Sequence, residues 1–208
     1  MFKDRLFPQN KVALGLSQDL YESITELPII SPHGHCEPIW FSENKRFPDP
    51  AQLFVVPDHY IFRMLVSQGV SLRELGINPI DDSDFEKDPR RIWKKFCENY
   101  YLFRGTPTAM WLDYSFEKVF EILEPLTPEN SEFYFDQIEK KLTLPNFLPR
   151  ALFDSFKIEA LATTDAALSD LKHHTNIKNS SWGGKVIPTY RPDSIVDPEF
   201  NDFRKNLI

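Results

Sequence analysis

The chain has 208 residues, of which 41% are apolar and 14% aromatic, so it is hydrophobic enough to bury a core and is not disordered. Its formal net charge of −7 argues against binding to nucleic acid or to an anionic membrane surface, because both are polyanions. Only two cysteines, no leader-like start and no long apolar run predict a cytoplasmic protein with reduced thiols and no membrane span.

The first predicted elements are a helix and a short strand. Ser17 has the residue type of an N-cap, and apolar side chains recur at helical spacing over 17–26, which predicts a helix there. The apolar run 27–31 follows directly and predicts a strand that ends in the polar stretch 31–35. The chain is therefore expected to enter its fold through a helix followed by a strand.

Residues 58–156 are predicted to be mostly helical. An Asp or Thr, in two cases followed by Pro, marks the predicted starts, because these side chains accept hydrogen bonds from the first turn and Pro fits the first helical position. Gly69 is expected to end the first of these helices in a left-handed conformation. The predicted helices start at Asp58, Asp88-Pro89 and Thr127-Pro128, and a further helical stretch covers 114–123.

The last part of the chain has the pattern of a βαβ unit. Apolar runs at 158–164 and 185–190 predict two strands, and Asp165 is expected to cap a helix between them that runs to about His174. Such a unit pairs its strands in parallel. With the strand at 27–31, this predicts a parallel sheet with polar carboxyl ends, where active-site groups collect in α/β folds.

Two histidines follow the first predicted strand. His33 and His35 lie two residues apart, so both imidazoles point the same way if they continue the strand, and both can then bind one metal ion. A catalytic divalent metal needs about three protein ligands, and this stretch supplies two. Loop histidines without a metal are the alternative, although the strand before them and the proline turn after them favour a rigid ligand platform.

A second group of polar residues lies at the start of the helix that begins at Asp58. His59 and Arg63 are four residues apart on one helix face, and Tyr60 projects nearby, so an acid or base, a cation and a hydroxyl could meet one ligand. The alternative is ordinary capping by Asp58 with Tyr60 half-buried and Arg63 solvated. The pattern by itself favours that alternative.

Other polar residues near the predicted strand ends have open or simpler interpretations. Arg191 could hold a carboxylate with two hydrogen bonds, or it could be an exposed residue of a turn. His173 and His174 are expected at the end of a helix, where positive groups meet its negative pole, and are interpreted as structural. Cys36 is expected to pack, since a neighbouring thiol points away from the histidine pair.

Taken together, these stretches resemble the uronate isomerases (glucuronate isomerase) of the amidohydrolase superfamily. The resemblance runs in family order across nearly the whole chain. The matching segments are LPIISPHGHCEP, PDHYIFRMLVSQGV, YYLFRGTPTAMWLDYSFEKVF, RALFDSFKIEALATTD and VIPTYRPD.

The resemblance implies an α/β fold that forms the N-terminal part of a (β/α)8 TIM barrel with a helical insertion between its first and second strands. The implied organisation has the N-terminal helix and first strand in 1–57, the insertion in 58–156, and the second and third strands in 157–208. A full barrel needs about 250 residues, so the barrel is expected to be incomplete.

The resemblance also implies an aldose–ketose isomerase of uronate catabolism that interconverts D-glucuronate with D-fructuronate and D-galacturonate with D-tagaturonate. It implies a small uronate substrate, a divalent metal, with zinc expected, and a homo-oligomer at full length. The resemblance reverses the preference for simple capping at Asp58. The expected roles are metal ligands for His33 and His35, catalytic groups for His59 and Tyr60, and substrate-binding groups for Arg191 with Arg63.

Two departures from the family pattern bear on this interpretation. Many members have Cys between the two histidines, where this chain has Gly34, and we expect that difference to leave the ligands undisturbed. The third ligand, an Asp at the end of the eighth strand, is missing, so the chain alone is expected to be inactive. The rival interpretations are a metal-dependent hydrolase of the same superfamily and a non-catalytic helical interaction module.

Overall fold

The fold is a mixed α/β arrangement built on a small parallel sheet, as seen in a computed structural model that describes residues 6–207 except residue 82. The described residues form two units. The helical unit comprises 46–147, and the sheet unit comprises 6–45 and 148–207. The division predicted from the sequence, into 1–57, 58–156 and 157–208, stays a prediction.

The sheet confirms the three predicted parallel strands. Within the described residues they are β1 (Ile29–Ser31), β2 (Ile158–Ala166) and β3 (Lys185–Arg191), in the order β1-β2-β3. β2 is central and carries a continuous buried run over 160–163, which is typical of a parallel strand covered on both faces. The register pairs Ser31 with Leu161 at the end of β1, so β2 continues beyond its neighbour.

Short helices account for most of the remaining regular structure. In chain order they are α1 (Lys11–Glu22), α2 (Pro38–Glu43), α3 (Pro50–Phe54), α4 (His59–Ser67), α5 (Pro89–Glu98), α6 (Pro107–Tyr114), α7 (Ser131–Leu142), α8 (Pro149–Ser155), α9 (Lys172–Lys178), α10 (Asp193–Val196) and α11 (Phe203–Asn206). A π-helix, Ser115–Val119, continues α6, and 3-10 turns cover Arg73–Leu75, Tyr100–Phe103 and Pro145–Phe147. Among the described residues, none of these helices is long and apolar enough to cross a membrane.

Local capping chemistry predicted two helix starts correctly. The Asp58 carboxylate accepts a hydrogen bond from the Tyr60 N–H at 2.8 Å, and Asp88 accepts one from the Arg90 N–H at 2.9 Å. These bonds satisfy amide groups of the first turn that have no partner inside the helix. Gly69 has φ +89°, which confirms the left-handed end predicted after α4.

Two predicted helix starts were wrong. α1 begins at Lys11 rather than Ser17, because the side chain of Asn10 already accepts hydrogen bonds from two amides of its first turn. α7 begins at Ser131 rather than at Pro128. The Asn130 side chain accepts from the Thr127 N–H at 2.8 Å, which closes a turn just before the helix.

The predicted cap at Asp165 was also wrong. Asp165 lies inside β2, which pairs with β3 as far as the Ala166–Arg191 pair. The following helix, α9, starts only at Lys172. His173 and His174 therefore lie at the start of a helix and not at its end, so the argument from the negative helix pole does not apply to them.

Each unit has its own apolar core. In the helical unit, Trp93 of α5 and Tyr134 of α7 both pack edge-on against Phe116, and the buried Trp93 Nε1–H donates to the Ser131 carbonyl at 2.9 Å. In the sheet unit, residues from α2, α8, α9 and the strands form one cluster, whose buried members are Phe41, Phe153, Leu161, Ile177 and Val186. Burying each such side chain contributes about 1.5–3 kcal/mol. The core of the sheet unit therefore holds α2, and the turn that precedes α2, against β2.

Candidate active site

The two histidines after β1 face each other. The Nε2 atoms of His33 and His35 lie 2.9 Å apart, and the ring centroids are separated by 5.0 Å at an interplanar angle of 65°. Both residues are exposed at the carboxyl end of the sheet. The structure therefore brings the two predicted ligands together with their ring nitrogens converging on one point.

This geometry fits part of a divalent metal site. Two imidazoles on a tetrahedral zinc ion, with bonds of about 2.0–2.1 Å, have nitrogen atoms about 3.3 Å apart, so the rings need to separate by only a few tenths of an ångström. Within residues 6–81 and 83–207, no group of three or more His, Cys, Asp or Glu side chains is arranged to hold an ion. A metal site built on this pair would need a third ligand from outside the described residues.

Side chains around the histidines hold their turn against β2. The Thr164 hydroxyl donates to the carbonyl oxygen of Gly34 at 2.9 Å. Cys36 packs against the core of the sheet unit, and burial, together with the nearby Glu37 carboxylate, raises the pKa of its thiol. A thiol kept neutral in this way is a poor metal ligand, which agrees with the packing role predicted for Cys36.

Position 34 has little space for a side chain. A β-carbon built on Gly34 would lie 2.8 Å from the carbonyl oxygen of Ala162, closer than real β-carbons approach. The expectation that glycine at this position leaves the two histidines undisturbed stays a prediction. Either the turn or β2 must shift to admit a β-carbon.

A buried polar network lies at the end of β2. The Thr163 hydroxyl lies 2.6 Å from Asp165 Oδ2 and 2.8 Å from His174 Nε2, and the side chains of His174 and Asp165 are only 9% and 10% exposed. One proton arrangement satisfies all three groups, in which Thr163 donates to Asp165 and accepts from His174. Asp165 and His174 are thus both engaged with Thr163, and the interpretation of His173 and His174 as structural stays a prediction.

Arg191 occupies the carboxyl end of β3. Its side chain is 57% exposed, and its Nε lies 3.4 Å from Asp193 Oδ2. An exposed ion pair of this kind contributes little free energy, so an incoming carboxylate can displace it. A cavity of about 420 Å³ adjoins it, lined by Thr164, Ala166, Arg191, Asp193, Ser194, Asp197 and Phe200.

Ser194 was missed by the sequence interpretation. Its Oγ atom is buried and has no hydrogen-bond partner among the described residues. The only sequence signal for it was its place in the polar stretch after β3, which also contains Asp193 and Arg191.

The residues predicted around Asp58 lie at the start of α4 in the helical unit. Asp58 caps this helix, the rings of His59 and Tyr60 lie 4.3 Å apart between centroids, and Arg63 is exposed one turn later. Tyr60 is 57% exposed rather than half-buried. The histidine pair and Arg191 belong to the sheet unit, and the prediction that both sets form one active site stays a prediction.

Comparisons with known proteins agree over the length of the chain. The family model described as glucuronate isomerase matches residues 4–208. Uronate isomerases of Rhizobium meliloti and Mesorhizobium japonicum are 50% and 52% identical to this chain over 204 residues, which is 98% of this chain. The crystal structure of glucuronate isomerase from Caulobacter crescentus superposes with a TM-score of 0.94 at 45% identity over 99% of this chain.

A second solved structure, uronate isomerase from Thermotoga maritima, superposes with a TM-score of 0.84 at 28% identity over all of this chain. In each case the match occupies only part of the relative. This chain covers 44% of the Rhizobium and Mesorhizobium proteins and 43% of the two crystallised chains. It therefore spans less than half the length of the proteins that it resembles.

Proposed function

The chain belongs to the glucuronate isomerase family, and from that membership we propose that it forms the N-terminal part of an isomerase that converts D-glucuronate to D-fructuronate and D-galacturonate to D-tagaturonate. The observation that carries the proposal is the convergence of His33 and His35 at the carboxyl end of β1, on the same sheet edge as Arg191. A pair of metal-binding histidines and a carboxylate-binding arginine suit a sugar acid, because a sugar acid presents both hydroxyl oxygens and a negative charge.

We propose that the sheet is the first part of a TIM barrel. Its strands are parallel and adjacent in chain order, and in the described residues the outer edges of β1 and β3 have no partner strand. The apolar residues Val12, Leu16 and Leu20 of α1 are 60–72% exposed, an unusual state for one face of a helix. Further strands and helices of a complete barrel would cover both features.

His33 and His35 would hold the divalent ion, and zinc fits best because it accepts neutral imidazole. When bound, such an ion would supply Lewis acidity near the oxygens on C1 and C2 of the open-chain sugar. The missing ligand is expected to be a carboxylate in the C-terminal part of a complete enzyme. This donor set also suits the amidohydrolase superfamily.

The isomerisation moves a proton between C2 and C1 while the carbonyl group moves in the opposite direction. We assign His59 to ring opening or proton transfer, because imidazole accepts and donates protons near neutral pH. Tyr60 would donate a hydrogen bond to the oxyanion that develops. The close packing of the two rings at the start of α4 supports a joint role.

Arg191, with Arg63, would bind the carboxylate on C6. A guanidinium group forms two parallel hydrogen bonds to a carboxylate, which ordinary aldoses lack, so this contact would select uronates. The free thiols of Cys36 and Cys97 fit a cytoplasmic enzyme, and a homo-oligomer is proposed for the full length.

The test uses the complete enzyme, by which we mean these 208 residues joined to a C-terminal portion such as their relatives possess. It is incubated with D-glucuronate or D-galacturonate, ketose formation is followed by 13C NMR, and ester and lactone hydrolysis is measured in parallel. Ketose formation that His35→Ala abolishes, and that the matched control His173→Ala retains, supports the proposal. Hydrolysis without ketose would identify the hydrolase, and neither activity would favour the interaction module.

A further inference from the structure

We propose that Thr164 is a positioning residue of the metal site. Together with Gly34, whose lack of a β-carbon lets the turn lie close to β2, it holds His33 and His35 in their converging arrangement before an ion binds. This inference rests on the proposed function, because it assumes that the two histidines bind a metal ion. It concerns residues that bind neither the ion nor the substrate in the proposal above.

The first support is that Thr164 replaces backbone pairing where the sheet ladder stops. β1 pairs with β2 only as far as Ser31 and Leu161, so the next residues of the first segment leave the ladder. Three residues further along β2, the Thr164 hydroxyl donates to the Gly34 carbonyl at 2.9 Å. One side-chain hydrogen bond thus keeps the turn on β2 at the residue between the two histidines.

The second support is the close approach of this turn to the strand. A β-carbon at position 34 would contact the Ala162 carbonyl oxygen at 2.8 Å. Ala162 belongs to the buried run of β2, so its backbone has little freedom to move away. In this backbone, the absence of a β-carbon at position 34 therefore lets the turn lie close enough for the Thr164 hydrogen bond.

The turn is also fixed on both sides. β1 holds its first residue, Ser31, and the core of the sheet unit holds Cys36 directly after His35. With Gly34 bound in the middle, few backbone conformations remain for the two histidines. A site whose ligands are already oriented loses less conformational freedom when the ion binds, so its affinity is higher.

The experiment measures the zinc affinity of the complete enzyme by competition with a chromophoric chelator. Thr164→Val keeps the shape of the side chain and removes the hydroxyl, and we expect it to weaken zinc binding about tenfold or more, as is typical of residues that orient ligands. Thr164→Ser restores the hydroxyl and should recover most of the affinity. The control is Thr175→Val, the same change at an exposed position of α9, which should bind zinc like the parent enzyme.

Gly34→Ala tests the close approach independently. We expect weaker zinc binding, because the added methyl group must push the turn away from Ala162. Gly15→Ala is the matched control, since a β-carbon at that position meets no atom within 4 Å. Thermal unfolding without zinc identifies any variant that does not fold, and the remaining variant then decides the question.

The outcomes separate the inference from the proposed function. If His33→Ala leaves zinc affinity unchanged, the histidine pair does not bind the ion and the proposed metal site fails. If His33→Ala abolishes binding while Thr164→Val and Gly34→Ala bind like the parent enzyme, the positioning role alone is overturned. Loss of affinity in both variants, with recovery in Thr164→Ser, supports the inference.

Discussion

Replacing Arg150 with Met should destabilise the sheet unit by about 3 kcal/mol. The guanidinium of Arg150 donates to the carbonyl oxygens of Phe41 and Ser42, at 2.7 and 3.2 Å, and lies 5.2 Å from the ring centroid of Trp182. Each hydrogen bond from a charged group is worth about 1.5–3 kcal/mol, and the ring contact adds about 0.5–1 kcal/mol. Because Arg150 is only half-buried, water can replace part of this sum.

The assay is urea unfolding of the 208-residue chain, with the free energy of unfolding extrapolated to water. Arg150 joins α8 to the end of α2, the helix that follows the histidine turn, so the measurement tests what holds that helix in place. Arg104→Met, at an exposed position, is the matched control and should change the free energy by at most about 0.5 kcal/mol. A loss below about 1 kcal/mol in Arg150→Met would refute the reasoning from these contacts.

Three further predictions concern the substrate, the core and a helix cap. In the complete enzyme, Arg191→Ala should raise KM for glucuronate by about 30-fold, equivalent to about 2 kcal/mol. This is the lower end of the cost of removing one partner of a buried charge pair, because the guanidinium of Arg191 is partly exposed. An unchanged KM in steady-state kinetics would remove Arg191 from the site. Leu161→Ala should cost about 2–4 kcal/mol in urea unfolding, because Leu161 is 5% exposed in the core of the sheet unit, and a cost below 1 kcal/mol would contradict that packing. Asp58→Ala should cost about 1 kcal/mol through loss of the cap on α4, whereas Asp58→Asn should retain most of it.

Features that depend on neighbouring residues were predictable from the sequence. The caps at Asp58 and Asp88 follow from side chains that bond to amides two residues further on. The parallel pairing of β2 with β3 follows from two apolar runs separated by a helix-length segment. The same local reasoning failed at Thr127. The Asn130 side chain accepts a hydrogen bond from the Thr127 N–H and closes a turn there, so the helix begins only after it.

Features that depend on contacts between distant segments were not predictable. Thr164 meets Gly34 across 130 residues of sequence, and no spacing rule relates them. The close approach of Gly34 to Ala162 depends on the register of β2, which is set by the whole sheet. The pairing of β2 with β3 also extends β2 past Asp165. The polar side chain of Asp165 therefore suggested a helix cap at a position where the strand in fact continues.

The most direct test of the metal-site account is the zinc content and the glucuronate isomerisation rate of the complete enzyme, measured for the parent enzyme and for the His33→Ala, His35→Ala double variant. The account predicts bound zinc and ketose formation in the parent enzyme, both lost on chelation and restored by added zinc, and neither in the double variant. Full zinc content or an undiminished rate in the double variant would contradict it.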